Sequence, residues 1–154
     1  MRHGGNLASY SRTQGQKTGR GRCCAMKQTS AKQEAAQQEL PAWAVVLAYL
    51  HSKGPRSEEV LYADLRRIVA ALEDRNVFVD LDFKTVAQDV IYSEKLEDAL
   101  QTCESAGLVR EREGSIIYEL TAFGIADMGN HKSPLNELIS MDVLAKLEKA
   151  VRAA

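Results

Sequence analysis

This sequence is poor in the residues that build sites by themselves. Of its 154 residues only three are cysteine, three histidine and one tryptophan, and aromatic side chains make up 6%. Cys23 and Cys24 are adjacent and Cys103 stands alone, with no C-x-x-C and no histidine at ligand spacing. An odd cysteine count in that arrangement argues against a disulfide framework and against a zinc site. Nor is there a long apolar run. The longest, residues 42–50, stops at His51, Ser52 and Lys53, well short of the roughly 20 residues that span a bilayer. Residues 1–25 carry early positive charge but lack the 7–15-residue apolar stretch of a secretory signal, so the expected location is the cytoplasm. No glycine-rich phosphate loop occurs either, because Gly19-Arg20-Gly21 follows no predicted strand and opens no capped helix.

What the chain does have is an uneven charge distribution. Formal net charge is −1, yet residues 1–33 hold Arg2, Arg12, Lys17, Arg20, Arg22, Lys27 and Lys32 and no acid. The remainder therefore carries 13 basic against 21 acidic residues. The arm, rich in Gly, Ser and Gln, has too few apolar side chains to offset the entropy of ordering. It is expected to be disordered unless bound. Met26, followed by KQTSAKQ, reads as an alternative start that would leave residues 1–25 outside the native protein. With 45% hydrophobic and 27% charged residues, the remainder fits one compact domain with its own core.

Periodicity supplies the elements. Residues 31–39, AKQEAAQQE, are strong helix formers and predict a frayed lead-in helix. Pro41 suits a helix start, Trp43, Val46, Leu47 and Leu50 form a stripe, and Gly54 ends it. Ser57 is placed to cap a second helix whose stripe is Leu61, Leu65, Ile68, Val69 and Leu72. Val77, Val79 and Leu81 alternate as a short strand, and Phe83, Val86 and Val90 space a short helix. Residues 94–106 form the next helix: Leu96, Ala99, Leu100 and Cys103 share a face, with Ser93 as cap and Gly107 as stop. Leu108 and Val109 then open a hairpin that turns at Glu113-Gly114 and returns with Ile116, Tyr118 and Leu120 alternating inward. Thr121 caps a short helix to Met128, which Gly129-Asn130 breaks. At the end, Ile139, Val143, Leu144, Leu147, Ala150 and Val151 line one face of a helix that must pack on its own domain or on a partner copy.

The stretch from Leu96 to Gly124 resembles the recognition helix and wing of the winged helix-turn-helix superfamily, whose members often read L-x-x-L, then G-L-[VI], then Y-x-L-T-x-x-G. The resemblance implies a mainly α, α+β fold with a small antiparallel sheet: a disordered arm over 1–33, a winged-helix domain over 34–130, and an amphipathic helix over 131–154. In that fold Val77–Val79 would pair with the wing hairpin, and the terminal helix would serve homodimerisation. The implied function is a DNA-binding transcription regulator.

Candidate nucleic-acid contacts are Arg12, Lys17, Arg20, Arg22 and Lys27 on the arm, Lys84, Lys95 and Gln101 on the body, and Arg110 and Arg112 on the wing, with Arg66 and Arg67 as further phosphate contacts. Against this, the positions facing a major groove are Glu94, Glu97, Asp98, Gln101 and Ser105. Their acidity opposes the phosphate attraction that normally dominates affinity. The alternative is a winged-helix protein-interaction module within a nucleoprotein complex, using the acidic helix. The partner is thus duplex DNA, RNA or a protein. No nucleophile, base and orienting group converge in sequence, so no enzyme, cofactor or metal is expected; Asp80 and Asp82 on one strand face are read as solvated.

Overall fold

In the computed structural model, residues 38–154 are described, apart from 89, 113, 115, 131 and 132. The basic arm lies outside these residues. The described part is a mixed α/β structure of six helices with short strands in small sheets.

Helix α1 (Ala42–Lys53) begins after Pro41 and ends at Gly54, whose φ of 74° suits a residue without a Cβ. It is buried on nearly all sides, at Ala44, Val45, Val46, Leu47, Tyr49 and Leu50, with Trp43 half-buried. That makes it the central helix rather than a one-faced one. Helix α2 (Glu58–Glu73) buries the expected stripe together with Tyr62. Ser57 occupies its N-cap position, but the hydroxyl makes no capping bond; its residue is instead part of a short strand. Helix α3 (Glu94–Ser105) matches expectation closely. Leu96 N–H donates to Ser93 Oγ at 3.2 Å, Leu96, Ala99, Leu100 and Cys103 are buried, and Gly107 takes φ 70° just beyond the end.

The sheets correct three expectations. Gln38–Leu40 (β1) is a strand, not the end of a lead-in helix, and pairs in parallel with Val77–Val79 (β3). Burial decides this: Leu40, Val77 and Val79 all lie in the core, which outweighs the helix propensity of the local sequence. The three-stranded sheet takes its third strand from Arg56–Ser57 (β2), not from β3; its order is β2, then Ile117–Leu120 (β7), then Val109–Glu111 (β6), all antiparallel. Residues 83–92 do not form a helix. Lys84–Ala87 (β4) and Val90–Tyr92 (β5) form an antiparallel hairpin of their own, with an irregularity between Thr85 and Ala87 and with Gln88 at φ 26°. Val86 and Val90, read as a helical stripe, are exposed; β-branched side chains with no core to face fit a strand.

On the return strand of the wing, Tyr118 and Leu120 pack against the core while Ile116 is exposed. Thr121 Oγ accepts from Gly124 N–H at 3.0 Å and donates to the Gly107 carbonyl at 2.6 Å, tying helix α4 (Ala122–Met128) to the end of α3. A Cβ on Gly124 would run into the Leu108 carbonyl. After the short α5 (Pro134–Leu138), helix α6 (Met141–Ala153) is capped by Ser140 and buries Val143, Leu147, Ala150 and Val151. It packs on α1 and α2 of the same chain. The terminal helix therefore belongs to the same compact unit, residues 34–154, as everything from α1 onward. Val143, Leu147, Ala150 and Val151 of its stripe are thus buried in cis, while Leu144 is only partly buried.

Candidate functional site

Helix α3 owes its orientation to its ends. The Ser93 cap fixes where the first turn starts, and the four buried residues press one face onto α1, so the opposite face is left to solvent. That face presents Glu94, Glu97, Asp98, Gln101, Glu104 and Ser105, all exposed. Acids in the first turns of a helix are stabilised by its dipole, and these make no ion pair among the described residues. Glu97 Oε2 accepts a hydrogen bond from Tyr92 at 3.1 Å, which holds that phenol protonated above its ordinary range.

The cations around this face are engaged. Lys95 Nζ bonds to Asp80 Oδ1, and that hydrogen bond raises its pKa. Lys84 Nζ lies 3.5 Å from Asp82 Oδ2. Asp80 and Asp82 thus sit just beyond β3 as partners of lysines, not as a free pair. Arg67 reaches Asp64 at 3.3 Å, and Asp64 also accepts from the Tyr49 hydroxyl at 2.6 Å. Arg66 is exposed with no carboxylate partner among the described residues.

On the wing the register places Arg110 opposite Glu119. Arg110 Nε donates to Glu119 Oε1 at 2.8 Å, its Nη2 lies 2.7 Å from the same oxygen, and Arg112 Nη2 donates to Oε2 at 2.7 Å. One carboxylate therefore clamps both guanidinium groups. The hydrogen bonds from Arg110 and then Arg112 hold the Glu119 carboxyl below the usual range. The two arginines stay more than half exposed, whereas the Glu119 side chain is 10% exposed.

Of the residues expected to touch nucleic acid, Lys84, Lys95, Arg110 and Arg112 are each bound to a carboxylate, and Gln101 is exposed on the α3 surface. Arg12, Lys17, Arg20, Arg22 and Lys27 lie outside the described residues. Sequence reasoning missed Glu119 and the two aspartates as counter-charges. A cross-strand Arg–Glu pair could have been found by counting outward from the Gly114 turn.

No group of three or more His, Cys, Asp or Glu side chains among the described residues is arranged to hold a metal ion. Cys103 is buried, and desolvation pushes its thiol up to about 12. No described helix is long and apolar enough to cross a membrane. Compared with protein families, curated proteins and solved structures, the chain matches none.

Proposed function

We propose that this chain is a winged-helix interaction module that docks the acidic face of α3 onto a basic protein segment within a nucleoprotein complex. The winged-helix reading is supported by the order helix, short strand, helix, helix, strand, strand, given by α1, β2, α2, α3, β6 and β7, and by the sheet order β2-β7-β6. One departure is the β3–β5 segment between α2 and α3, where helix-turn-helix proteins have a turn of three or four residues.

The observation that carries the docking function is the charge on α3. Glu94, Glu97 and Asp98 stand exposed in its first turns while the adjacent cation, Lys95, is paired to Asp80. A helix presenting three carboxylates to a polyanion loses the phosphate attraction on which duplex affinity rests. The same face is complementary to a lysine- or arginine-rich segment.

A second reading, a DNA-binding regulator with α3 in the major groove, is favoured by the exposure of Arg110 and Arg112 and by the seven cations of the arm. The two readings separate on the triple change Glu94→Gln, Glu97→Gln and Asp98→Asn. Anisotropy is read with a labelled oligolysine peptide and, separately, with a short duplex. Docking predicts that peptide affinity falls by about tenfold, the scale of three exposed ion pairs, with duplex affinity unaltered. Tighter duplex binding with unchanged peptide binding would reverse the order of the two readings.

A further inference from the structure

At the end of α3 away from its acidic turns, a cavity of about 220 Å³ opens between α3, the start of α1 and α4. The buried Leu47 and Cys103 and the half-buried Trp43 and Leu108 give it apolar walls. Burial keeps the Cys103 thiol protonated, so it acts as one more small hydrophobe. On the α3 side the walls are Thr102 and Ala106, both exposed, and Thr102 turns its hydroxyl onto the Asp98 carbonyl at 2.7 Å. Small residues at these two positions leave the hole open. Among the described residues Asp127 on α4 is the only charged one that lines it. One turn earlier on the same face of α4, Phe123 is 63% exposed.

Sites for whole small molecules run to about 300–1,000 Å³, so this one is scaled to a single side chain. Holes of that kind in protein interfaces take the apolar anchor residue that carries much of the binding energy. Position says which chain brings the anchor. Asp98, Thr102 and Ala106 lie at i, i+4 and i+8 and so run down one side of α3 from the carboxylates to the cavity, about 12 Å at about 1.5 Å per residue. An extended chain covers that distance in about four residues at about 3.3 Å each. Charge selects the chain. With Glu94, Glu97 and Asp98 exposed on α3 and Asp127 on the rim, a cationic segment is attracted along the whole path and an acidic one is repelled.

We propose that this cavity takes one bulky apolar side chain of the basic segment that docks on α3, about four residues along the chain from that segment's lysines or arginines. The basic flank rests on the docking function proposed above; the anchor pocket does not.

Trp43 is the only tryptophan of the chain and lines the cavity, so its emission reports what enters. The full chain is titrated with the amidated peptide Lys-Lys-Lys-Gly-Ser-Gly-Phe and with the same peptide ending in Ala. The Phe peptide should bind about tenfold more tightly, the scale of burying most of one such ring, and should shift Trp43 emission saturably. The Ala peptide should bind without that shift. Ala106→Leu fills the hole from an exposed position at the end of α3, so it should abolish the shift and make the two peptides bind alike. The triple change Glu94→Gln, Glu97→Gln and Asp98→Asn should weaken both peptides by the same factor. Equal affinity of the two peptides for wild type, with Trp43 emission still, would leave docking on α3 standing and overturn the anchor pocket. A Phe-dependent shift that survives Ala106→Leu would overturn it as well. A Phe-dependent shift whose midpoint the triple change leaves unaltered would keep the pocket and overturn delivery by the segment on α3. Trp43 emission that shifts with protein concentration alone would assign the cavity to a second copy and overturn the assignment to a partner.

Discussion

Release of the wing arginines is the perturbation with the most direct electrostatic consequence. Glu119→Gln keeps the size of the side chain and an oxygen that can still accept one hydrogen bond, but it removes the charge that holds Arg110 and Arg112 together. Both guanidinium groups are already more than half exposed, so freeing them needs no rearrangement of the sheet. On a duplex each newly engaged phosphate adds about 0.9 to the magnitude of the slope of log K against log salt. Two released arginines therefore steepen the slope by up to about 1.8, which is roughly an extra tenfold loss of affinity between about 50 and 200 mM salt. The control is Glu111→Gln, on the paired wing strand β6, exposed and without an ion-pair partner among the described residues. It removes the same unit of charge and frees nothing. Anisotropy at four salt concentrations measures both. Equal slopes for the two variants would mean that net charge alone matters and that the clamp restrains nothing.

The same carboxylate gives a pH signature. Its folded-state pKa lies below the ordinary value of 4.5, because the hydrogen bonds from Arg110 and Arg112 favour the ionised form. A depressed carboxyl contributes stability that is complete above its unfolded pKa and is lost as pH falls through the folded one. Wild type should thus lose stability relative to Glu119→Gln only below about pH 4.5, and the two should have parallel Tm profiles from there to neutrality.

Two further predictions test the packing that sets the site. Leu147→Ala should lower the free energy of unfolding by about 2–5 kcal/mol in denaturant titrations, because Leu147 is buried against α1 and α2 of its own chain; a loss below about 1 kcal/mol would show that the stripe is not packed in cis. Gly124→Ala should cost about 1–3 kcal/mol, since the added Cβ meets the backbone carbonyl of Leu108, which is itself bonded to Thr121 N–H; an unchanged denaturation midpoint would reject that close approach.

The parts of this fold that could be read from the sequence are those specified locally. Ser93 and Thr121 cap their helices, Gly107 and Gly114 take positive φ, and the stripes of α2 and α3 are the buried faces. All of these depend on residues within a few positions of one another. What failed depends on distant partners. The Val77–Val79 strand was legible, but its pairing with Gln38–Leu40 crosses the whole of α1 and α2, and nothing in either segment names the other. The β4–β5 hairpin is hidden in the sequence because Phe83, Val86 and Val90 fall at helical spacing while the connection through Gln88 lacks an Asn-Gly type signal. At the site the acidic face of α3 was legible from spacing alone. The counter-charges were not: Asp80 reaches Lys95 only once the chain between them has folded back as a hairpin.

That hairpin bears on how the lysines beside α3 are neutralised. A turn of three or four residues between α2 and α3 would have no room for Asp80 and Asp82; the longer segment carries them to Lys95 and Lys84. On the other side of α3, Glu119 performs the same neutralisation on Arg110 and Arg112. The two lysine pairs are exposed on both sides, and exposed pairs add little to stability. Their consequence is in the field. With a Debye length of about 8 Å at physiological salt, a cation whose counter-charge lies within about 4 Å projects almost nothing to an approaching phosphate. The unpaired carboxylates of α3 keep their full reach. On the docking function proposed above, encounter would be steered by Glu94, Glu97, Asp98 and Glu104, all exposed on α3, toward a cationic partner before any contact forms.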